Sequence, residues 1–274
     1  MSKLEVINRL IGSDIPLGYP VNVFGKPMAG KTLLTLQLAF QYSSPDKDIM
    51  ILDVDGGADI FLKEWEPIFR KRYGHKGKVI IEPAWNEKTV APNQKNVYFD
   101  MRIFSILGIK AKVVISSSGK SEFIPHSICP DKLEGYMKGG KIGAIIIDSF
   151  SQVFKDCFIG TQSFADRARA EDMLFSLLKT IGAKYGDILI FCNHHQSANP
   201  MTGKVDIAGG SAVIQNSKLA FYIDRVGVGG QDFAKLWIYR YPTIPSWRKK
   251  AIMKFTEEGF VDSDESELER AQSQ

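Results

Sequence analysis

GKPMAGKT, residues 25–32, follows the apolar run YPVNVF and opens into LLTLQLAF. The stretch fits G-x-x-x-x-G-K-[ST], the phosphate-binding loop, and it stands where such a loop must stand, after a strand and before a helix. Glycines let backbone N–H groups turn inward around a polyphosphate, and the helix N-terminus adds its partial positive charge. In this reading Gly25, Lys26, Pro27, Met28, Ala29, Gly30, Lys31, Thr32 and Leu33 form the nucleotide contact. Lys31 reaches the terminal phosphates, and Thr32 offers its hydroxyl to Mg²⁺.

A loop of this kind needs a second magnesium group. KIGAIIIDSF supplies it: an apolar run ending in Asp148, at the carboxyl end of a strand, where ligands collect in open α/β sheets. Hydrolysis also needs a group that orients water. ILDVDGG offers Asp53 and Asp55 at the end of a strand expected to neighbour the loop strand, and Asp55, nearer the carboxyl end, is the choice. Asp55 also reads as an ordinary turn residue before Gly56 and Gly57.

Working outward, VNVF, IMILDV, IGAIIID and DILIFCN are strands apolar at nearly every position, separated by helix-like stretches. That alternation predicts an α/β fold: a mostly parallel sheet flanked by helices on both faces. Past residue 217, KLAFYIDRV, FAKLWIYRY and KAIMKFTEEG follow without intervening helices and predict C-terminal antiparallel strands on one edge. Residues 1–262 are expected to form a single domain. Residues 75–140 read as an insertion, with MRIFSILGIKAKVVIS as a β-hairpin turning near Gly108. The tail DSDESELERAQSQ, residues 263–274 after a leading Asp262, is polar, acidic and expected to fray.

The 274 residues are 44% hydrophobic, enough for a sizeable core and too apolar for disorder. The start MSKLEVINRLIG has no apolar signal core, and no run approaches about 18 uncharged apolar residues, so a cytoplasmic protein without a membrane partner is expected. Cys129, Cys157 and Cys192 are odd in number, far apart and lack C-x-x-C spacing, which argues against a disulfide framework or zinc site, and they read as small buried or half-buried side chains. A net charge of +4 permits a polyanionic partner without requiring one.

Taken in order, LIGSDIPLGYPVNVFGKPMAGKT, ILDVDGG, IIIDSF, FCNHH, AGGSAVIQNSKLAFYI and AIMKFTEEGFVD resemble the core of the RecA/RadA recombinase superfamily over nearly residues 9–262. The chain begins shortly before the loop and leaves no room for the archaeal recombinase's helical N-terminal domain, so the closer resemblance is to an archaeal RadA paralogue of the RadB or RadC kind, a core ATPase domain alone.

That resemblance implies ATP and Mg²⁺ as cofactors. It places Asp55 where the family has a catalytic glutamate, and Ser149 in the family's Asp-Ser pair. Asn193 matches the Asn after the next strand, and His194 stands in place of the sensing Gln. IYRYPTIP is similar to the segment that caps ATP across a protomer interface, but Arg240 replaces an acidic residue there, which bears on self-association. Two stretches correspond to loops that hold DNA: KDCFIGTQSF with Phe158, followed by Arg167 and Arg169, and SANPMTGKVDIAGGSA with Lys204, Gly209 and Gly210. Thr161 occupies a usually basic position. The basic runs RKRYGHKGK and WRKK, with Tyr73 and Trp247, read either as further nucleic-acid contacts or as solvated faces.

The function implied is an ATP-hydrolysing accessory protein of homologous recombination and DNA repair that binds single-stranded DNA and modulates the RadA recombinase. The alternative is a KaiC-like regulatory ATPase acting through protein partners without DNA. A third class, a metabolic kinase, needs an acceptor pocket that the sequence does not reveal.

Overall fold

A strand buried along its whole length leads into the loop: β1 (Pro20–Gly25) sends Val21 and Val23 into one layer and Phe24 into the other, as the two-residue period of a strand requires. The computed structural model describes residues 3–90, 96–128, 132–155, 157–158, 163–198, 205–244 and 249–273. Before β1 lies α1 (Val6–Ile11), and after it come α2 (Lys31–Tyr42), β2 (Asp48–Asp53), α3 (Ala58–Tyr73) and β3 (Val79–Pro83). The middle section holds β4 (Glu87–Val90), β5 (Val97–Asp100), α4 (Arg102–Ile106), β6 (Ile109–Ile115), β7 (Ser121–Ile128) and α5 (Lys132–Met137). The core resumes with β8 (Ile142–Asp148), α6 (Gln152–Lys155), α7 (Phe164–Tyr185), β9 (Leu189–Ala198), β10 (Val205–Ile207) and α8 (Gly210–Asn216). Last come β11 (Leu219–Val228), β12 (Gln231–Arg240), β13 (Lys250–Thr256), β14 (Gly259–Ser263) and α9 (Glu265–Gln272).

The main sheet runs β14-β13-β12-β11-β1-β9-β8-β2-β3, with β10 added to β9. From β11 to β3 every neighbouring pair is parallel, and from β11 to β14 every pair is antiparallel. The fold is therefore α/β, with a largely parallel centre and an antiparallel C-terminal edge. Leu33, Leu34, Leu36 and Phe40 of α2 and Leu62, Trp65 and Phe69 of α3 fill one face, while Leu174, Phe175 and Leu178 of α7 fill the other. Among the described residues no helix is long and apolar enough to cross a membrane.

Three expectations need correction. β2 does not neighbour β1, because β9 and β8 lie between them. The hairpin does not turn near Gly108: residues 102–106 form α4, Gly108 leaves it at φ +97°, and the turn falls between β6 and β7. The apolar run MRIFSIL buries Ile103, Phe104, Ile106 and Leu107 together, which suits a helical turn inside the four-stranded β4-β5-β6-β7 unit. The tail is not frayed. Asp264 accepts a hydrogen bond from the Glu267 amide at 2.9 Å and caps α9, whose Leu268 and Ala271 pack on Phe233 and Ile252.

Candidate functional site

The carboxyl ends of β1, β8 and β9 bring the phosphate-loop residues, Asp148 and Asn193 together. Gly25 is there because β11 presses on it: a Cβ would stand 2.2 Å from the Ile223 carbonyl oxygen. Gly30 takes φ +91°, and a Cβ would meet the Phe260 ring at 2.7 Å. Ala29 and Leu33 are buried, Lys26 approaches Asp224 at 3.9 Å, and Met28 stands out of the loop tip at 84% exposure with φ +62°. Pro27 is exposed beside it.

Lys31 Nζ donates to the carbonyls of Lys26 at 2.8 Å and Gly25 at 3.2 Å, so the ammonium lies folded over its own loop. Desolvation lowers its pKa, opposed by the charges of Asp148 and Asp55. Thr32 Oγ1 donates to Asp148 Oδ2 at 2.7 Å. Asn193 Nδ2 donates to Asp148 Oδ1 and to Thr35 Oγ1, both at 3.1 Å. Desolvation raises the pKa of Asp148, and the hydrogen bonds from Thr32 and Asn193 oppose it. A hydroxyl and a carboxylate converging beside helix amides that have no intrahelical acceptor match the oxygen ligands Mg²⁺ prefers and the anion site a phosphate prefers.

Asp53 and Asp55 separate at the strand's end. Asp53 is buried and accepts from the amides of Gly56 at 2.9 Å and Ala58 at 3.2 Å, so its carboxylate starts α3. Asp55 is exposed and accepts from Ser149 Oγ at 3.4 Å. Desolvation raises its pKa, opposed by His195 and by Ser149. Ser149 Oγ also lies 3.3 Å from His195 Nε2.

His194 does not face this cluster, contrary to expectation. Its ring is fully buried on the opposite side of β9, 4.8 Å from the Phe150 ring, and Nε2 donates to Asn22 Oδ1 at 2.8 Å. Asn22 donates in turn to Ser217. Burial lowers the His194 pKa to about 3, so the ring is neutral. The residue that shares a face with Asn193 is His195, two positions on, and the alternation of a strand was the signal for it. Thr35, one helical turn after Lys31, is the other neighbour that motif reading passed over.

Of the residues matched to DNA-holding loops, Phe158, Arg167 and Gly209 are engaged within the fold. Phe158 is buried with its ring 6.2 Å from Phe154. Arg167 Nε donates to the buried Glu171 at 2.9 Å. Gly209, at φ +108°, would drive a Cβ to 2.3 Å from Val213 and 3.1 Å from Glu171, so it is required by packing. Gly210 begins α8, and Arg169 is exposed. Lys204, Thr161, Trp247 and Cys129 lie outside the described residues. Arg72 donates to the carbonyls of Glu258 and Phe260, Arg70 is bound to Glu66, and Tyr73 bonds Gln37, so much of the first basic run is structural. Arg240 donates to the Ile214 carbonyl and staples β12 to α8.

No family model matches the chain. Two proteins named DNA repair and recombination protein RadA, from Methanococcus maripaludis strains C7 and C6, are each 25% identical over 205 residues. The match covers 70% of this chain and 61% of each relative's length. That similarity, with the sheet order and the loop, supports a RecA/RadA-like core.

Proposed function

We propose that the chain binds ATP with Mg²⁺ at the start of α2 and hydrolyses it slowly, and that it serves recombination and repair by binding single-stranded DNA and modulating a RadA-type recombinase. The observation that carries the nucleotide part is the hydrogen bond from Thr32 to Asp148, with Lys31 and Asn193 beside it. Thr32 and Asp148 would hold the metal, which when bound would neutralise charge on the phosphate oxygens. Lys31 swings from its two carbonyls to the phosphates, and Asn193 fixes the Asp148 carboxylate. Asp55 orients the attacking water by accepting its proton, and Ser149 and His195 hold that carboxylate in place. Its acceptor is one methylene shorter than the glutamate of the family it resembles, consistent with slow turnover.

Lys31→Ala is expected to lower Mg-dependent ATP hydrolysis by about a hundredfold, the scale for loss of one charged contact to the transition state. Activity at the wild-type level in that variant sinks the assignment. A second reading, a regulatory ATPase acting through protein partners, is favoured by the engagement of Phe158, Arg167 and Gly209 within the fold. Fluorescence anisotropy with labelled single strands separates the two. Salt-dependent binding supports the DNA reading, and no binding with or without ATP leaves the regulatory one.

A further inference from the structure

Beside the phosphate site lies a cavity of about 430 Å³. It shares Asp55 and His195 with that site, and its other wall comes from the middle section, through Trp85, Asn86 and Phe99, and from Gln152 at the start of α6. Its volume falls in the range of small-molecule sites, roughly 300–1,000 Å³.

The lining has a distinct chemistry. Trp85 is 42% exposed at the mouth, while most large aromatic side chains in this molecule are buried. The guanidinium of Arg102 stands 5.9 Å from the Trp85 ring centroid and is itself ion-paired to Glu87 at 3.2 Å, so the indole is held from one side. Asn86 is fixed by two donated hydrogen bonds, to the Val153 carbonyl at 2.6 Å and to Cys157 Sγ at 2.9 Å. Its Oδ1 is withdrawn from solvent and accepts no hydrogen bond from the described residues. A buried carbonyl oxygen without a donor is costly. An anchored amide whose carbonyl oxygen is unpaired among the described residues, and an exposed indole, are the parts that recognise a flat ring with N–H groups on its edge.

We propose that this cavity takes a nucleobase, stacked on Trp85 and donating an edge N–H to Asn86 Oδ1, next to the carboxylate of Asp55. The ring comes either from a free nucleoside or from a base of a single strand, and its arrival alters the surroundings of the group assigned to orient water. The proposal rests on the phosphate-site reading only for the role of Asp55. Ring binding itself is measured without hydrolysis.

The test is equilibrium dialysis of adenosine and cytidine against the full chain without added nucleotide, and anisotropy of a short labelled thymidine strand against an abasic strand of equal length. Each is run on wild type, Trp85→Ala, Trp85→Phe and Lys31→Ala, with circular dichroism to establish folding. Trp85→Ala is expected to weaken ring binding roughly tenfold, with Trp85→Phe near wild type and Lys31→Ala unchanged. Nucleoside binding with that pattern identifies a free ligand, and preference for the base-bearing strand alone identifies a strand. Equal binding by wild type and Trp85→Ala, or no binding of any ring-bearing probe, overturns the proposal. Failure of Lys31→Ala to lose hydrolysis leaves it standing and removes the ATP reading instead.

Discussion

At the scale of single residues, the two adjacent histidines show how one strand sorts side chains to different tasks. His194 is buried and neutral with a folded pKa of about 3, against 6.5 in the unfolded chain. Between those values the unfolded state binds the extra proton, so this histidine's contribution to stability is complete above pH 6.5 and is lost as pH falls toward 3. One unit below 6.5 the loss is about 1.4 kcal/mol. Urea unfolding at pH 7.5 and 5.5 is expected to show a smaller drop for His194→Gln, which keeps a donor for Asn22 and does not titrate. Equal drops in the two proteins would show that the ring is not held neutral. The strand-loop-helix of residues 20–42 and the strand that ends in Asp148 were legible in the sequence because each is a local pattern of residue types. The choice between His194 and His195 was legible only through the strand period, given that Asn193 faces Asp148.

Among the elements, α9 departs most from its composition. DSDESELERAQSQ is mostly polar and acidic, which suggests fraying, but Asp264 with Glu267 three residues on is a helix-start pattern, and Leu268 and Ala271 fall on one face. Leu268→Ala is expected to destabilise the protein by about 2 kcal/mol, the lower end for a buried leucine at the edge of a core. A change below about 0.5 kcal/mol, the scale of a surface substitution, would mean that the segment frays in solution. Short apolar runs are the harder case. Residues 101–107 suit a strand by residue type and a helical turn by burial, and in the fold Phe104 packs against Phe123 with Ile103, Ile106 and Leu107 buried beside it. The site inherits that difficulty, since Trp85 and Asn86 belong to a section whose sequence carries no motif.

For the molecule as a whole, sheet order is what gathers the chemistry. β1 lies between β11 and β9, so groups from residues 25–32, 148 and 193 meet at one edge of the parallel strands although they are far apart in the chain. The alternation of strands and helices foretold a parallel sheet, but neighbour order is set by long-range pairing, and β2 accordingly sits two strands away from where sequence placed it. The net charge of +4 is too small to decide a partner, so nucleotide binding is the claim on which the rest depends. The most direct measurement is titration calorimetry of the chain with magnesium and a non-hydrolysable ATP analogue. Saturable heat with a dissociation constant below a millimolar, lost on Lys31→Ala, is expected. No heat at millimolar ligand would contradict the phosphate site and every function built on it.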